Sequence, residues 1–133
     1  MIPAFNDDGY LPSGVHAARL EEIAERFGEG SELRRVEMES VRWLVELARR
    51  AGVVRLILNG SFTSDRLEPN DVDCVLLVGA DYPSDRAAAE ELEAGLPFID
   101  MMRVRAEQFD LLVDKIFATD RDNVAKGMIE VLL

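Results

Sequence analysis

The chain of 133 residues has the length of one domain, and we predict a single domain over residues 1–133. Apolar residues make up 48% of it, which argues against disorder, and no apolar run approaches the ~20 residues needed to span a bilayer. The net charge of −11 opposes non-specific binding to nucleic acid and to an anionic membrane, because both attract cationic side chains. A small nucleotide carried with its metal, or a basic protein partner, fits this charge better.

The single cysteine, Cys74, excludes an internal disulfide and argues against a cysteine-based metal site. A lone thiol suits a reducing compartment, and the first residues do not have the basic-then-apolar pattern of a signal peptide. We therefore expect a cytoplasmic protein.

Residues 1–14 contain closely spaced glycine and proline residues, which predict an extended N-terminal arm. Phe5, Tyr10 and Leu11 are its expected anchors on the body of the domain. The alternative is a frayed tail without fixed contacts.

Two helices are expected after the arm. Ser13 can cap the first, whose apolar stripe runs from Leu20 to Phe27. Ser31 can cap the second, which is expected to end at Ala51 with Gly52 in a left-handed turn. Its buried face is expected to comprise Leu33, Val36, Val41, Leu44, Leu47 and Ala51, with Trp43 close to Val36 and the charged residues solvated.

The remainder alternates between strand and helix patterns. Apolar runs predict strands over 53–59, 71–78, 96–104 and 127–133. A short helix is expected over 84–94, and Phe109, Leu112, Val113, Ile116 and Phe117 have helical spacing. The predicted fold class is α/β (or α+β), a small mixed sheet flanked by helices.

The chemistry-bearing residues lie at the ends of the first two predicted strands. Gly60 and Ser61 end the first strand, and nine residues later Asp71 and Asp73 begin the second. Side chains two apart in a strand point to one face, with Cα atoms about 7 Å apart. Two adjacent carboxylates repel each other unless a cation or a shared proton is present. Mg²⁺ (or Mn²⁺) is the expected cofactor, because hard cations prefer oxygen ligands.

This arrangement resembles the signature of the DNA polymerase β-like nucleotidyltransferases, especially their minimal bacterial forms. The chain is more closely similar to an uncharacterised bacterial nucleotidyltransferase-like family. The similar segments are Ile2-Pro3-Ala4-Phe5, Leu11-Pro12-Ser13-Gly14, Gly60-Ser61-Phe62-Thr63-Ser64, Glu68-Pro69-Asn70-Asp71-Val72-Asp73, and Arg121-Asp122-Asn123 to Lys126-Gly127. The Arg-Gly pair that many minimal forms carry shortly after Gly-Ser is absent here.

The resemblance implies a third metal-binding carboxylate on a later strand, and Asp100 lies in the matching apolar context. An acid within an apolar strand is costly to bury without a partner, which independently favours placing Asp100 at the site. An outward-facing aspartate on a half-exposed strand is the alternative. For Asp71 and Asp73 the alternative is a solvated corner between loop and strand.

Phosphate contacts are expected from the turn and from two cations. Gly60 allows close backbone approach to a triphosphate, and Ser61 can donate its hydroxyl; an ordinary strand-ending turn is the alternative. Arg66 and Lys126 are candidate phosphate ligands or plain surface residues. His16 is expected to be structural or exposed.

Two functions are favoured by the sequence, whereas a third, hydrolysis of a phosphate ester, is less favoured because no water-activating base stands out beyond the same acids. The first is transfer of a nucleoside monophosphate from a nucleoside triphosphate, ATP above all, to a hydroxyl on a protein, an RNA end or a small molecule. The second is a nucleotidyltransferase-fold binding module with weak or no turnover. The resemblance implies one such role, an antitoxin that neutralises a companion toxin, a basic protein partner.

Overall fold

The computed structural model describes residues 1–116 and 118–133 of the chain. The described residues form a five-stranded mixed sheet in the order β1-β5-β2-β3-β4. The strands are β1 (Val15–Ala18), β2 (Arg55–Asn59), β3 (Val72–Leu77), β4 (Ile99–Val104) and β5 (Met128–Val131). The helices are α1 (Leu20–Phe27), α2 (Glu32–Ala51), α3 (Arg86–Ala94) and α4 (Ala106–Leu111). This is the mixed α/β architecture that the sequence predicts.

Strand direction determines which ends of the strands meet. β2 runs antiparallel to β3 and to β5, whereas β3 and β4 are parallel. The C-terminal end of β2 therefore lies beside the N-terminal ends of β3, β4 and β5. The residues that carry the predicted chemistry are all at or near this end of the sheet.

Alternation along the strands separates two apolar clusters. Leu56 and Leu58 of β2 pack with the larger cluster, which includes buried residues of α1, α2 and α3. Ile57, which lies between them, faces the opposite side and packs with Phe109 of α4 in the smaller cluster. Cys74 is buried in the larger cluster, where it packs as a small apolar residue.

The expectation for the start of the first helix was wrong. Residues Val15–Ala18 form β1, which pairs in parallel with β5, and α1 begins only at Leu20. Ser13 therefore lies before a strand and does not cap a helix. His16 lies in β1, where its Nε2 is 2.7 Å from the carbonyl oxygen of Pro12.

The boundaries of α2 are confirmed. The Ser31 hydroxyl accepts a hydrogen bond from the Arg34 amide at 3.1 Å, which satisfies a free donor of the first turn. At the other end Gly52 has φ +85, a left-handed conformation that glycine adopts without strain. The helix therefore has a defined start and stop that were encoded locally.

The predicted buried face of α2 was partly wrong. Val36 and Trp43 are 43% and 45% exposed, whereas Arg34 and Glu37 are buried. Burial of charged residues needs specific partners, because removing a charge from water is costly. Three of the four carbonyl groups that Arg34 contacts lie in the segment after β2, and the fourth is that of Phe27 at the end of α1.

The N-terminal arm contacts the body at several points. Leu11 is fully buried, and the ring centroid of Phe5 lies 6.1 Å from that of Phe27. The Tyr10 hydroxyl donates a hydrogen bond to Asp120 at 2.7 Å. The Gly9 carbonyl oxygen also accepts a hydrogen bond from the Asp65 amide at 2.9 Å, which places the arm beside the loop that follows Gly60 and Ser61.

The segment after β4 departs from one continuous helix. α4 ends at Leu111 and is followed by a π-helical turn over Leu112–Ile116. Phe109 is buried as its spacing predicts, and Phe117 lies outside the described residues. Throughout 1–116 and 118–133, no helix combines the length and the apolar character needed to cross a bilayer.

Candidate functional site

Three polar side chains form a row across adjacent strands. Asn59, the last residue of β2, pairs with Asp73 of β3, and Asp73 pairs with Asp100 of β4. Paired residues on neighbouring strands project to the same face, with Cα atoms about 5 Å apart. All three side chains line one cavity of about 120 Å³. Register thus brings together two of the three predicted acids, and Asn59 joins them.

The Asp73 and Asp100 carboxyl groups lie close enough to share a proton. Burial raises the pKa of Asp73 to about 6, and the charge and hydrogen bond of Asp100 add to the shift. Lys126 acts in the opposite direction, and the charge of Asp71 makes a smaller contribution to raising the same pKa. Holding both carboxylates ionised therefore costs free energy that a bound cation would recover.

The cost of burying an acid, which favoured Asp100 as a site residue, does not apply in the structure. β4 is an edge strand of the sheet, and Asp100 is exposed, whereas Asp73 on the neighbouring strand is partly buried. The side chain of Asp100 nevertheless faces Asp73 across the strand pair. Exposure on the outer side leaves this carboxylate accessible to a ligand from solvent.

Asp71 lies outside this pair. It precedes β3 and is exposed, and its charge raises the pKa of both Asp73 and Glu37. Within the described ranges, no three histidine, cysteine, aspartate or glutamate side chains form a metal-ligand group. The arrangement is a contacting pair of acids with a third carboxylate nearby. Its all-oxygen chemistry fits Mg²⁺ or Mn²⁺ better than a softer metal.

Gly60 begins a 3-10 turn, Gly60–Thr63, directly against the acid pair. Its φ is +80, and a Cβ at this position would overlap the carboxylate of Asp73. The position therefore requires glycine for two separate reasons, backbone conformation and space. The hydroxyls of Thr63 and Ser64 donate to carbonyl oxygens of the same turn and stabilise it.

Arg34 fixes the loop that follows this turn. Its buried guanidinium donates five hydrogen bonds, to the carbonyl oxygens of Phe27, Phe62, Ser64 and, twice, Arg66. Burial lowers the pKa of Arg34 from its usual value, although the nearby acid Glu37 opposes this effect. One side chain of α2 thus determines the conformation of the loop.

A second cavity of about 250 Å³ opens beside the turn. Its lining includes Gly60, Ser61, Arg66 and Lys126, the four residues predicted to contact phosphate. Asp8, Tyr10, Ser64 and Asp65 complete the lining. The structure therefore brings the predicted phosphate contacts to one cavity, next to the acid pair, with acidic side chains on the same wall.

A larger cavity, about 440 Å³, lies at the other end of β3 and β4. Its acid, Glu93, is paired with Arg103. The smaller cavity instead brings two acids against each other, Asp73 and Asp100, on which the charge of Lys126 acts. We therefore place the candidate site at the Asp73 end of the sheet.

Two residues of this region were not predicted from the sequence. Asn59 is a polar residue at the end of an apolar strand, a pattern that is present in the sequence. Arg34 carried no comparable signal, because charged residues on a helix are normally solvated. Its role depends on carbonyl oxygens that the fold brings to it.

Together, the mixed sheet, the paired acids and the glycine turn define a protein of the α/β class with an acidic, oxygen-rich site at one sheet end. The chain belongs to a family described as a family of unknown function (DUF6932), whose model matches residues 3–132. Neither a curated protein nor a solved structure matches the chain.

Proposed function

We propose that the protein is a Mg²⁺-dependent nucleotidyltransferase that transfers a nucleoside monophosphate from a nucleoside triphosphate to a hydroxyl acceptor. The observation that carries the proposal is the contact between Asp73 and Asp100 directly beside the Gly60 turn. Such a contact raises the free energy of the ligand-free protein, and the same two carboxylates suit a divalent cation. Cytoplasmic residence belongs to this proposal, since nucleoside triphosphates are the substrate.

Asp73 and Asp100 would hold the cation, and Asp71, whose charge acts on Asp73, would add negative charge nearby. The metal, when bound, would neutralise phosphate charge and position the α-phosphorus. The hydroxyl oxygen of the acceptor forms a bond to the α-phosphorus, and the bond from that phosphorus to the bridging oxygen breaks. Pyrophosphate leaves with that electron pair, and the hydroxyl proton passes to the exposed carboxylate of Asp100.

The neighbouring cavity would hold the triphosphate. Gly60 lets the backbone approach phosphate oxygens, and Ser61 lies beside it in the same lining. Arg66 and Lys126 supply two positive charges for the departing pyrophosphate. Because Arg34 holds the loop in place before a ligand binds, binding would cost little conformational entropy of the loop.

Calorimetric titration of ATP in the presence of Mg²⁺ tests the proposal. The wild-type protein should bind, and Asp73→Asn should bind at least about tenfold more weakly, because one cation ligand is lost. Asp81→Asn is the matched control, since it removes an exposed acid at the opposite end of the sheet. Absence of binding by the wild type at millimolar ATP would contradict the proposal.

A second candidate is a binding module that keeps this fold without turnover, such as an antitoxin. The observation that favours it is the position of Asp71, which is exposed and separate from the acid pair. The net charge of −11 suits a basic partner, such as a companion toxin. If the module acts by contact alone, Asp73→Asn should leave neutralisation of the toxin unchanged.

A further inference from the structure

Asn59 combines deep burial with an unused hydrogen-bonding atom. It is 2% exposed, and its Oδ1 finds no hydrogen-bond partner among the residues that the structure describes. Most buried side-chain oxygens in proteins have a partner, so each exception calls for an explanation. The explanation offered by its position is a ligand in the adjoining cavity.

That cavity is the one between the two acids. Asn59, Asp73 and Asp100 occupy successive strands in register and line the same space of about 120 Å³. The residue with the unpartnered oxygen and the two acids therefore line one small volume, together with apolar residues such as Val75 and Met102. The chemistry predicted for Gly60, Ser61 and the aspartates gave no role to Asn59.

We propose that the amide oxygen of Asn59 is a further ligand of the divalent cation held by Asp73 and Asp100. This inference rests on the proposed function, since it concerns the same cation. Asparagine carbonyl oxygens are accepted ligands of hard cations. A neutral oxygen adds a ligand without adding a third charge to a pair of acids that already repel each other.

Binding of Mn²⁺ in the absence of nucleotide, measured by electron paramagnetic resonance, tests the inference. Asn59→Leu keeps the approximate size of the side chain and removes the oxygen. It should weaken Mn²⁺ binding at least about tenfold. Its midpoint of thermal unfolding without metal should stay equal or rise, because an unpartnered polar atom has been removed.

Two further variants complete the design. Asn59→Asp retains an oxygen and adds a charge, so it should bind Mn²⁺ at least as tightly as the wild type and unfold earlier without metal. Asn70→Ala changes an exposed asparagine between the turn and β3 and should leave both measurements unchanged.

The results separate this inference from the proposed function. Mn²⁺ binding by Asn59→Leu equal to that of the wild type, together with loss of binding in Asp73→Asn, would overturn the role of Asn59 and leave the proposed function intact. Failure of the wild type to bind Mn²⁺ at millimolar concentration would overturn both. Selective loss in Asn59→Leu with retained folding supports the ligand role.

Discussion

Glu37 is fully buried within the larger apolar cluster, and replacing it by glutamine should change how stability depends on pH. Burial, together with the charge of Asp71, raises the pKa of Glu37 from the usual 4.5 to about 7, although Arg34 opposes the change. Each pKa unit corresponds to about 1.36 kcal/mol, so ionised Glu37 destabilises the folded state by about 3 kcal/mol above pH 8. Because the pKa of Glu37 is higher in the folded than in the unfolded protein, protonated Glu37 adds stability that is fully present below about pH 4.5. This contribution to the free energy of unfolding is lost as pH rises through 7.

Glu37→Gln stays neutral and should not lose this stability. Urea unfolding of both proteins at about pH 5, 6, 7 and 8 gives the difference in free energy of unfolding between variant and wild type. That difference should increase by about 2 kcal/mol in favour of the variant between the first and last pH. A pH-independent change in the free energy of unfolding, caused by contacts of the new amide, cancels when the differences at two pH values are compared. The contributions of groups that titrate equally in both proteins cancel as well.

Glu39→Gln is the matched control, because Glu39 lies on the same helix and is exposed. Its difference from the wild type should stay within about 0.5 kcal/mol at each pH. A difference for Glu37→Gln that is equally flat from pH 5 to 8 would refute the reasoning, since it would mean that Glu37 ionises in the folded protein as easily as in water.

Three further predictions concern the turn and the acid pair. Arg34→Met should lower the free energy of unfolding by about 3–5 kcal/mol, because buried carbonyl oxygens lose their donors. Arg35→Met, at an exposed position, should lower it by less than about 0.5 kcal/mol. Denaturant titration measures both changes. In the absence of metal, Asp73→Asn should raise the free energy of unfolding by about 1–2 kcal/mol at pH 8, after allowance for partial exposure. The gain should vanish near pH 4, because the pKa of Asp73 is higher in the folded than in the unfolded protein. No gain at pH 8 would contradict the contact between the two carboxyl groups. Gly60→Ala should lower the free energy of unfolding by at least about 2 kcal/mol more than Gly30→Ala. Both glycines have positive φ, but only at Gly60 would a Cβ meet a carboxylate. Equal losses of stability in thermal unfolding would show that this close approach is unimportant.

The local features of the fold could be predicted from the sequence. Ser31 and Gly52 encode the ends of α2, and the run ending at Asn59 encodes β2, because caps and apolar runs act over a few residues. β1 could not be predicted in this way. It is four residues long and pairs only with β5, from the other end of the chain, so no local pattern marks it.

Asp73 and Asp100 could be named as candidates from the sequence, whereas the contact between them could not. Alternation within β3 could assign Asp73 to one face, but the register that sets Asp100 beside it depends on how β3 and β4 pair. The inward position of Arg34 depends on loop carbonyl oxygens, which no helical periodicity contains. Asn59 is an intermediate case. The sequence shows a polar residue at the end of an apolar run, but only the structure shows that its side-chain oxygen has no partner among the described residues.

The tip of the arm is joined to the loop that borders the cavity beside the Gly60 turn. The Asp65 amide donates to the Gly9 carbonyl oxygen at 2.9 Å, and Tyr10 forms an antiparallel bridge with Ser64. A buried guanidinium joins the same loop to a twenty-residue helix. Arm, loop and helix therefore form one frame, and a guest that enters the cavity meets a template whose shape is already set.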